Sequence, residues 1–343
     1  MLFGTLGMIL LFGAAAIIGY FQLQDWSKEP FPLSRPATIS FPRGTPLLFL
    51  SGQLEKKGLV SSAALFRVWV KYFSDFTKFQ AGQYRFEESV SPEMIARTII
   101  DGDIYEPVVV QITVPEGFTN AKIAARLEAL NIGDQNEILD LMNDPIFLKE
   151  HLIPSSSTEG FLYPATYNFT VFPTSKEVLT KMVDTFWERI PEEYEVEVKE
   201  KGLTLTEAVT FASLIELETR VEEEKPKVAE VIWRRLHSNV ALAIDASIIY
   251  GIDSFDGNLR WKHLKDKSNP YNTRVHRGLP PTPIGSPSLS SLLAVLHPSN
   301  EGYFYYVLDL EDGTHHHFSK SLQEHNSHVK KLVQEQKKRK QQQ

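Results

Sequence analysis

The chain is organised around the stretch Thr204-Leu-Thr-Glu-Ala-Val-Thr-Phe-Ala-Ser-Leu-Ile-Glu-Leu-Glu-Thr-Arg220, which predicts a helix. Its apolar residues recur every three or four positions, as expected for a helix with one face turned inward. Thr204 is followed three residues later by Glu207, and this pair predicts a capping box at the first turn. Two carboxylates, Glu216 and Glu218, lie near the end of the predicted helix.

Glu216 and Glu218 are expected to differ in their surroundings, because two positions on a helix are roughly 200° apart. Glu218 follows Leu214 and Ile215 by one turn, so desolvation against an apolar wall would raise its pKa and suit it to general acid catalysis. Glu216 has Arg220 at i+4 and is expected to be an ion-paired carboxylate at the surface or rim. The alternative for Glu218 is that it ends an amphipathic helix in solvent.

Length and composition narrow the choice of function. The chain has 343 residues, enough for two domains, and a net charge of −7, which argues against a nucleic acid as the main partner. It contains no cysteine, which excludes disulfides, thiolate metal sites and cysteine nucleophiles.

The N-terminal segment predicts a membrane anchor over residues 1–24, because Asp25 is the first charged residue. Its apolar run of about 20 residues would be roughly 30 Å long as a helix, enough to span a bilayer. A cleaved signal peptide is the competing interpretation, but the start lacks Lys and Arg, and Ala14-Ala-Ala16 lies in mid-run. We therefore expect an uncleaved single-pass anchor.

The predicted fold class is α+β. Helices are predicted near 47–57, 61–73, 91–102, 119–130, 135–142, 175–189, 222–236 and 289–296, and strands near 38–41, 83–86, 108–114 and 303–308. This pattern predicts an anchor, a Pro-rich stalk, a small α+β module, a larger mixed α/β domain with a helix-borne glutamate, and a basic tail. Their expected ranges are 1–24, 25–37, 38–104, 105–330 and 331–343.

Two loops are candidates for substrate contact. The aromatic segment 159–169, which includes Tyr163, is either a packed loop over the core or a sugar-stacking wall. The Pro/Gly-rich segment 269–287 is long for a loop without periodicity, and its prolines can hold Tyr271 and Asn272 rigidly.

Other catalytic chemistries have little support. The run His315-His-His317 suggests a metal, but adjacent histidines in a strand point to opposite faces, so at most two could share one ion. There is no G-x-S-x-G elbow and no phosphate-binding glycine motif. Carboxylate chemistry of the kind used in glycan cleavage remains, with Asp245 as the best second carboxylate beside Glu218.

Several further motifs occur in one order and spacing. They are Gly160-Phe-Leu-Tyr-Pro164, Ala212-Ser-Leu-Ile-Glu-Leu-Glu-Thr219, Val228-Ala-Glu-Val-Ile-Trp-Arg-Arg-Leu236, Ile248-Ile-Tyr-Gly251, Tyr271-Asn-Thr273, Gly278-Leu-Pro-Pro281, Pro283-Ile284, His297-Pro298, Phe318 and His325-Asn326. On these residues the chain resembles the membrane-anchored endolytic murein transglycosylases of the MltG/YceG-like family. The resemblance extends from the anchor to about residue 330.

The resemblance implies a LysM-like module at 38–104 and a YceG-like catalytic domain at 105–330, with Glu218 as the catalytic acid/base. The implied reaction cleaves the β-1,4 bond between N-acetylmuramic acid and N-acetylglucosamine without water. Glu218 would protonate the leaving oxygen and then take the proton of the muramic C6 hydroxyl, which attacks C1 and leaves a 1,6-anhydro end. One carboxylate suffices, and no cofactor or metal is expected.

Further residues are candidates for substrate contact. Tyr271 and Asn272 are expected to orient the sugar or its acetamido group, and Asp245 to hold the cleft or a substrate hydroxyl. Tyr163 and Glu216 are additional candidates. The family often has a Gln, a small hydroxyl residue and a Pro around the Asp, where this chain has Ala243-Ile-Asp-Ala-Ser247, so that wall of the cleft is expected to differ.

The expected location is the bacterial cytoplasmic membrane, with the catalytic domain on the extracytoplasmic side. The expected partners are peptidoglycan strands, together with cell-wall synthases or elongation and division proteins. The protein would terminate or release the nascent strands. Two alternatives stay open: a non-catalytic, membrane-anchored peptidoglycan-binding protein, and a two-carboxylate muramidase that uses Glu218 with Asp245.

Overall fold

The computed structural model describes residues 2–310 and 312–342, with side chains for residues 13–310 and 312–335. The chain divides into two compact units, Met1–Pro107 and Val108–Gln343. Each unit has its own hydrophobic core. The class is α+β, with many helices and small antiparallel sheets.

The first unit contains helices and short strands. Its helices are α1 (Leu2–Lys28), α2 (Leu47–Lys56), α3 (Ala63–Phe73) and α4 (Pro92–Asp101), and its strands are β1 (Phe31–Pro32), β2 (Ala37–Phe41), β3 (Gly82–Phe86) and β4 (Ser89–Val90). Strand β1 pairs with β4 and β2 pairs with β3, both antiparallel. The predicted elements of this module are found within two residues at each end. Its LysM-like character stays a prediction.

Alternation along β2 and β3 builds the core of the first unit. Ile39 and Phe41 face inward from β2, and Tyr84 and Phe86 do so from β3. Phe66 of α3 is fully buried among them. These two strands with α2 and α3 therefore form one folded module.

Helix α1 begins in the predicted anchor and continues to Lys28. Leu23 and Trp26 on its last turns pack against the core of the first unit. The predicted stalk over 25–37 differs from the structure, because it starts in α1 and its Phe31–Pro32 pairs with β4. Within the part of the chain that the structure describes, no helix has the length and apolar character needed to cross a membrane. Side chains 1–12 of the predicted anchor lie outside that part.

The second unit is mainly helical. Its helices are α5 (Asn120–Ala129), α6 (Gln135–Met142), α7 (Pro145–Glu150), α8 (Ser175–Arg189), α9 (Tyr194–Glu200), α10 (Leu205–Glu218), α11 (Lys225–His237), α12 (Asp245–Tyr250), α13 (Trp261–Leu264), α14 (Leu289–Leu296) and α15 (Leu322–Gln342). Its strands are β5 (Val110–Thr113), β6 (Thr166–Phe169), β7 (Tyr305–Leu308) and β8 (His316–Ser319). Strand β5 pairs with β6 and β7 with β8, both antiparallel, so the predicted mixed α/β domain has two small sheets beside its helices.

Helix α10 is the central element of the second unit. The capping box is confirmed, because the Thr204 hydroxyl accepts from the Glu207 amide and the Glu207 carboxylate accepts from the Thr204 amide. The expected single inward face is wrong: every residue from Ala208 to Glu216 is buried. Tertiary packing buries the other faces of the helix, because α9, α11, α12 and α14 pack around it.

The predicted long loop is present between α13 and α14. Pro283 of this loop packs against Gly160. Gly160 has a positive φ of 83°, and a side chain there would collide with Pro283 and Val209. Only glycine avoids both the strain and the collision. The loop contacts α10 directly through its Ile284 amide, which donates to the Ser213 hydroxyl at 3.1 Å.

Candidate active site

Glu218 is the last residue of α10 and is half-buried. The Tyr306 hydroxyl on β7 donates a hydrogen bond of 2.8 Å to its Oε2. Burial raises the pKa of the Glu218 carboxyl, while the Tyr306 hydrogen bond and His316 oppose that rise. A carboxyl of this kind holds its proton at higher pH than an exposed one, as general acid catalysis requires.

Charged groups from two helices act on Glu218. Asp245, the first residue of α12, raises the pKa of Glu218, and Arg235 on α11 lowers it. Asp245 is itself paired with Arg274, which donates from Nε at 3.2 Å and from Nη2 at 2.8 Å to the same Oδ1. The structure thus places the two predicted carboxylates close enough to interact electrostatically, and Asp245 is also paired with Arg274.

Arg235 is held by backbone carbonyls. Its Nε donates to the Phe304 carbonyl at 3.1 Å and its Nη1 to the Leu242 carbonyl at 2.7 Å. The guanidinium therefore ties the segments before β7 and before α12 to α11. This places a fixed positive charge near Glu218.

The β7–β8 pair forms one wall of the site. Tyr306 lies opposite Phe318 in the register, and His316 lies on the same face of the pair as Phe318. The three consecutive histidines contact three different carboxylates, Asp312 for His315, Glu224 for His316 and Asp309 for His317. Among the residues described, no group of three or more His, Asp and Glu is placed to hold a metal ion.

Glu216 corrects one expectation. It is 8 % exposed rather than at the surface, and its partner is the buried Lys225 at 3.5 Å instead of Arg220. Its Oε2 accepts from the Ser288 amide at 2.8 Å and from the Ser291 hydroxyl at 2.7 Å. Because α14 covers this side of α10, the carboxylate joins the two helices inside the protein. Its role in substrate contact stays a prediction.

A second buried carboxylate, Glu159, was not foreseen. Its two oxygens accept from the Asn120 amide, and Oε2 also accepts from the Tyr250 hydroxyl at 3.1 Å. Burial raises the pKa of Glu159 to about 7. Tyr271 packs edge-on against Tyr250 with ring centres 4.8 Å apart, and its hydroxyl lies 2.8 Å from that of Thr282. Tyr271 therefore belongs to this polar cluster.

Asn272 is fully buried and its side chain holds the loop together. Its amide donates to three backbone carbonyls, those of His263, Leu264 and Asp266. Its Oδ1 accepts from the Arg274 amide at 3.1 Å, so Asn272 supports the residue that pairs with Asp245. Direct contact of Asn272 with a sugar stays a prediction.

The aromatic segment 159–169 packs over the core of the second unit. Phe161 and Tyr167 are buried, and Tyr163 is half-buried against the same core. The Tyr163 carbonyl accepts from the Tyr167 hydroxyl. These contacts are those of a packed loop, and stacking of Tyr163 on sugar stays a prediction.

A family model described as the YceG-like family matches residues 39–331. The chain belongs to the YceG-like family. The family resemblance inferred from the sequence motifs is confirmed, and the matched residues include most of both units.

Relatives of this YceG-like chain carry a common name. It is 28 % identical to the endolytic murein transglycosylase of Bacillus subtilis (strain 168), over 94 % of this chain and 91 % of that protein. It is 26 % identical to the endolytic murein transglycosylase of Streptococcus pneumoniae D39, over 92 % of this chain and 62 % of that protein. The crystal structure of the yceG-like protein lmo1499 from Listeria monocytogenes matches with a TM-score of 0.58 and 28 % identity, over 86 % of this chain and 99 % of that one.

Sequence reasoning missed several residues of the YceG-like site. Tyr306, Arg235, His316 and Glu224 were not assigned to it. The alternation of β7 and β8 carried a signal for two of them, because a hairpin with a turn at 312–313 puts Tyr306 and His316 on one face. Nothing in the local pattern placed that face against the end of α10.

Proposed function

We propose that this protein is an endolytic lytic transglycosylase that cleaves the β-1,4 bond between N-acetylmuramic acid and N-acetylglucosamine in peptidoglycan. The observation that carries the proposal is the half-buried Glu218 carboxyl, whose pKa is raised by burial and which is fixed by the Tyr306 hydroxyl. The names of the relatives in Bacillus and Streptococcus support the substrate class.

In the proposed reaction, protonated Glu218 donates its proton to the glycosidic oxygen as the bond from that oxygen to C1 of the muramic acid breaks. The C6 hydroxyl oxygen of the same sugar forms a new bond to C1. The Glu218 carboxylate takes the C6 hydroxyl proton, which restores the enzyme and leaves a 1,6-anhydro end. Glu218 serves as acid and then as base, and water is not consumed.

The state of Asp245 favours this reaction over hydrolysis by two carboxylates. A muramidase needs its second carboxylate as a nucleophile or as a base that activates water. Asp245 instead accepts two hydrogen bonds from Arg274 on its Oδ1, so the arginine occupies the oxygen that would face a water or a sugar carbon. An internal hydroxyl nucleophile removes the need for that second group.

We also propose that residues 1–24 anchor the protein in the bacterial cytoplasmic membrane, with the second unit on the extracytoplasmic side. Support comes from the absence of charge before Asp25 and from helix α1. The strand-helix-helix-strand order of β2, α2, α3 and β3 supports a LysM-like module. We further propose that the protein releases or terminates nascent glycan strands. Its proposed partners are cell-wall synthases or elongation and division proteins.

The decisive experiment is mass spectrometry of products released from purified sacculi by the wild type and by Glu218→Gln. We expect anhydro-ended glycan from the wild type and a loss of at least about a hundredfold in the variant, because the acid/base group is removed. Glu200→Gln, the same change on an exposed helix end, is the matched control and should be fully active. Circular dichroism checks that each variant is folded.

Two outcomes would contradict the proposal. Products with reducing ends would indicate a muramidase that uses Glu218 with Asp245. No difference between wild type and Glu218→Gln would indicate a tethered peptidoglycan-binding protein.

A further inference from the structure

Glu224 is a buried carboxylate that the proposed reaction does not use. It is 5 % exposed and lies in the short 3-10 turn Glu222–Glu224 between α10 and α11. Its Oε1 accepts from the His316 amide at 2.7 Å. Its Oε2 contacts His316 Nδ1 at 2.7 Å and accepts from the Thr219 hydroxyl at 3.0 Å. Three donors from two distant parts of the chain thus converge on one carboxylate.

The contact with Glu224 orients the His316 ring. A carboxylate oxygen accepts, so Nδ1 of the imidazole carries the hydrogen. The ring is then held with its plane nearly perpendicular to the Tyr306 ring, at 88°, with centres 5.6 Å apart. Tyr306 is the residue that donates to Glu218, so the His316 ring supports the partner of the acid/base.

Glu224 also contacts the residue that follows Glu218 in the chain. Thr219 directly follows Glu218 and is buried, and its hydroxyl is bonded to Glu224. Glu224 therefore restrains the backbone next to the acid/base as well as the ring that supports its hydrogen-bond donor. The two routes form a closed path around Glu218.

We propose that Glu224 and His316 form a positioning pair for Glu218, in which Glu224 fixes the imidazole and the imidazole fixes the Tyr306 phenol. The proposal rests on the proposed function, since it assigns a role to residues around the same acid/base. It gives a role to the middle histidine of the His315–His317 run, with no metal involved. Among the contacts of the described residues, Oε1 of Glu218 and Nε2 of His316 form no hydrogen bond within the chain.

His316 also acts on Glu218 through charge. The groups that face Glu218 are Tyr306 from β7, His316 from β8, Asp245 from α12 and Arg235 from α11. Tyr306, His316 and Arg235 lower the pKa of Glu218 against the rise that burial causes, and Asp245 adds to that rise. Removing the imidazole raises the pKa of Glu218, so the alkaline limb of the pH–rate profile moves to higher pH.

The test compares His316→Gln and Glu224→Gln with the wild type on purified uncrosslinked glycan strands. We expect kcat to fall about 10- to 100-fold with little change in KM, as for partners that orient a catalytic group. In His316→Gln the alkaline limb of the kcat profile should also move to higher pH. The neighbours His315→Gln and Glu223→Gln, both exposed, are matched controls that should keep the wild-type kcat and profile.

Tyr306→Phe provides a second test in case His316→Gln or Glu224→Gln does not fold, and it also allows a double-mutant cycle. Tyr306→Phe keeps the ring and removes only the hydroxyl, and it should lower kcat and move the alkaline limb upward. Adding His316→Gln to Tyr306→Phe should lower kcat less than it does in the wild type, because the two residues act in one path.

Failure of the positioning pair can be distinguished from failure of the proposed function. If Glu218→Gln is inactive while His316→Gln and Glu224→Gln keep the wild-type kcat and pH profile, the positioning pair is wrong and the proposed function stands. A wild-type profile in Tyr306→Phe overturns the pair in the same way. If Glu218→Gln is fully active, the proposed function itself is wrong.

Discussion

At the scale of the residue, Glu159 shows what burial does to a single carboxyl away from Glu218. Its pKa is raised to about 7 from the ordinary 4.5, chiefly by burial. Between those values the folded protein binds a proton that the unfolded chain releases, so the free energy of unfolding falls as pH rises. The difference corresponds to about 3 kcal/mol, because each pKa unit is worth about 1.4 kcal/mol.

The prediction for Glu159→Gln is a flatter dependence of stability on pH. The amide does not titrate, so the variant lacks the loss of about 3 kcal/mol that the wild type undergoes between pH 4.5 and 7. Urea unfolding at several pH values measures the difference between the two proteins. The exposed Glu193→Gln is the control and should follow the wild type. Parallel curves for wild type and Glu159→Gln would show that the Glu159 carboxyl titrates as an exposed one does.

At the scale of the element, a buried ionic network joins three helices. Lys225, at the start of α11, is 1 % exposed and contacts Glu216 of α10 at 3.5 Å and Glu222 at 2.7 Å. It also donates to the Ser288 hydroxyl at the start of α14, at 2.9 Å. The network holds the end of α10, and therefore Glu218, against α11 and α14.

The prediction for Lys225→Met is a loss of about 3 kcal/mol in the free energy of unfolding, because the buried Glu216 loses its ion-pair partner. Urea unfolding measures the loss, and amide hydrogen exchange should show faster exchange in α10 and α14. Lys199→Met is the matched control, since its pair with Glu195 is exposed and worth about 0.5 kcal/mol or less. Equal unfolding of Lys225→Met and Lys199→Met would contradict the role of the network.

At the scale of the whole molecule, the proposed membrane anchor over residues 1–24 is tested by deletion. Deletion of residues 2–18 removes most of the uncharged segment and leaves Leu23 and Trp26, which pack in the first unit. We expect the full chain to sediment with membranes, to resist carbonate washing and to be released by detergent. The shortened chain should stay in the supernatant. Fractionation with immunoblotting measures both, and release of the full chain by carbonate alone would argue against a spanning anchor.

The sequence alone determined the local features and the family. Short-range rules predicted α10 with its capping box, and the apolar residues one turn before Glu218 predicted its raised pKa. These features depend on neighbours within one or two turns, which the chain order already fixes. The motif order identified the family before any fold was known.

Only the tertiary structure decided what surrounds those features. It buried Glu216 because α14 covers α10, and it brought Tyr306 to Glu218 across 88 positions of the chain. It also directed Asn272 into its own loop and His316 to Glu224. The contacts of Glu216, Tyr306 and His316 depend on which helix or strand packs against which other, and no spacing within a single segment carries that information.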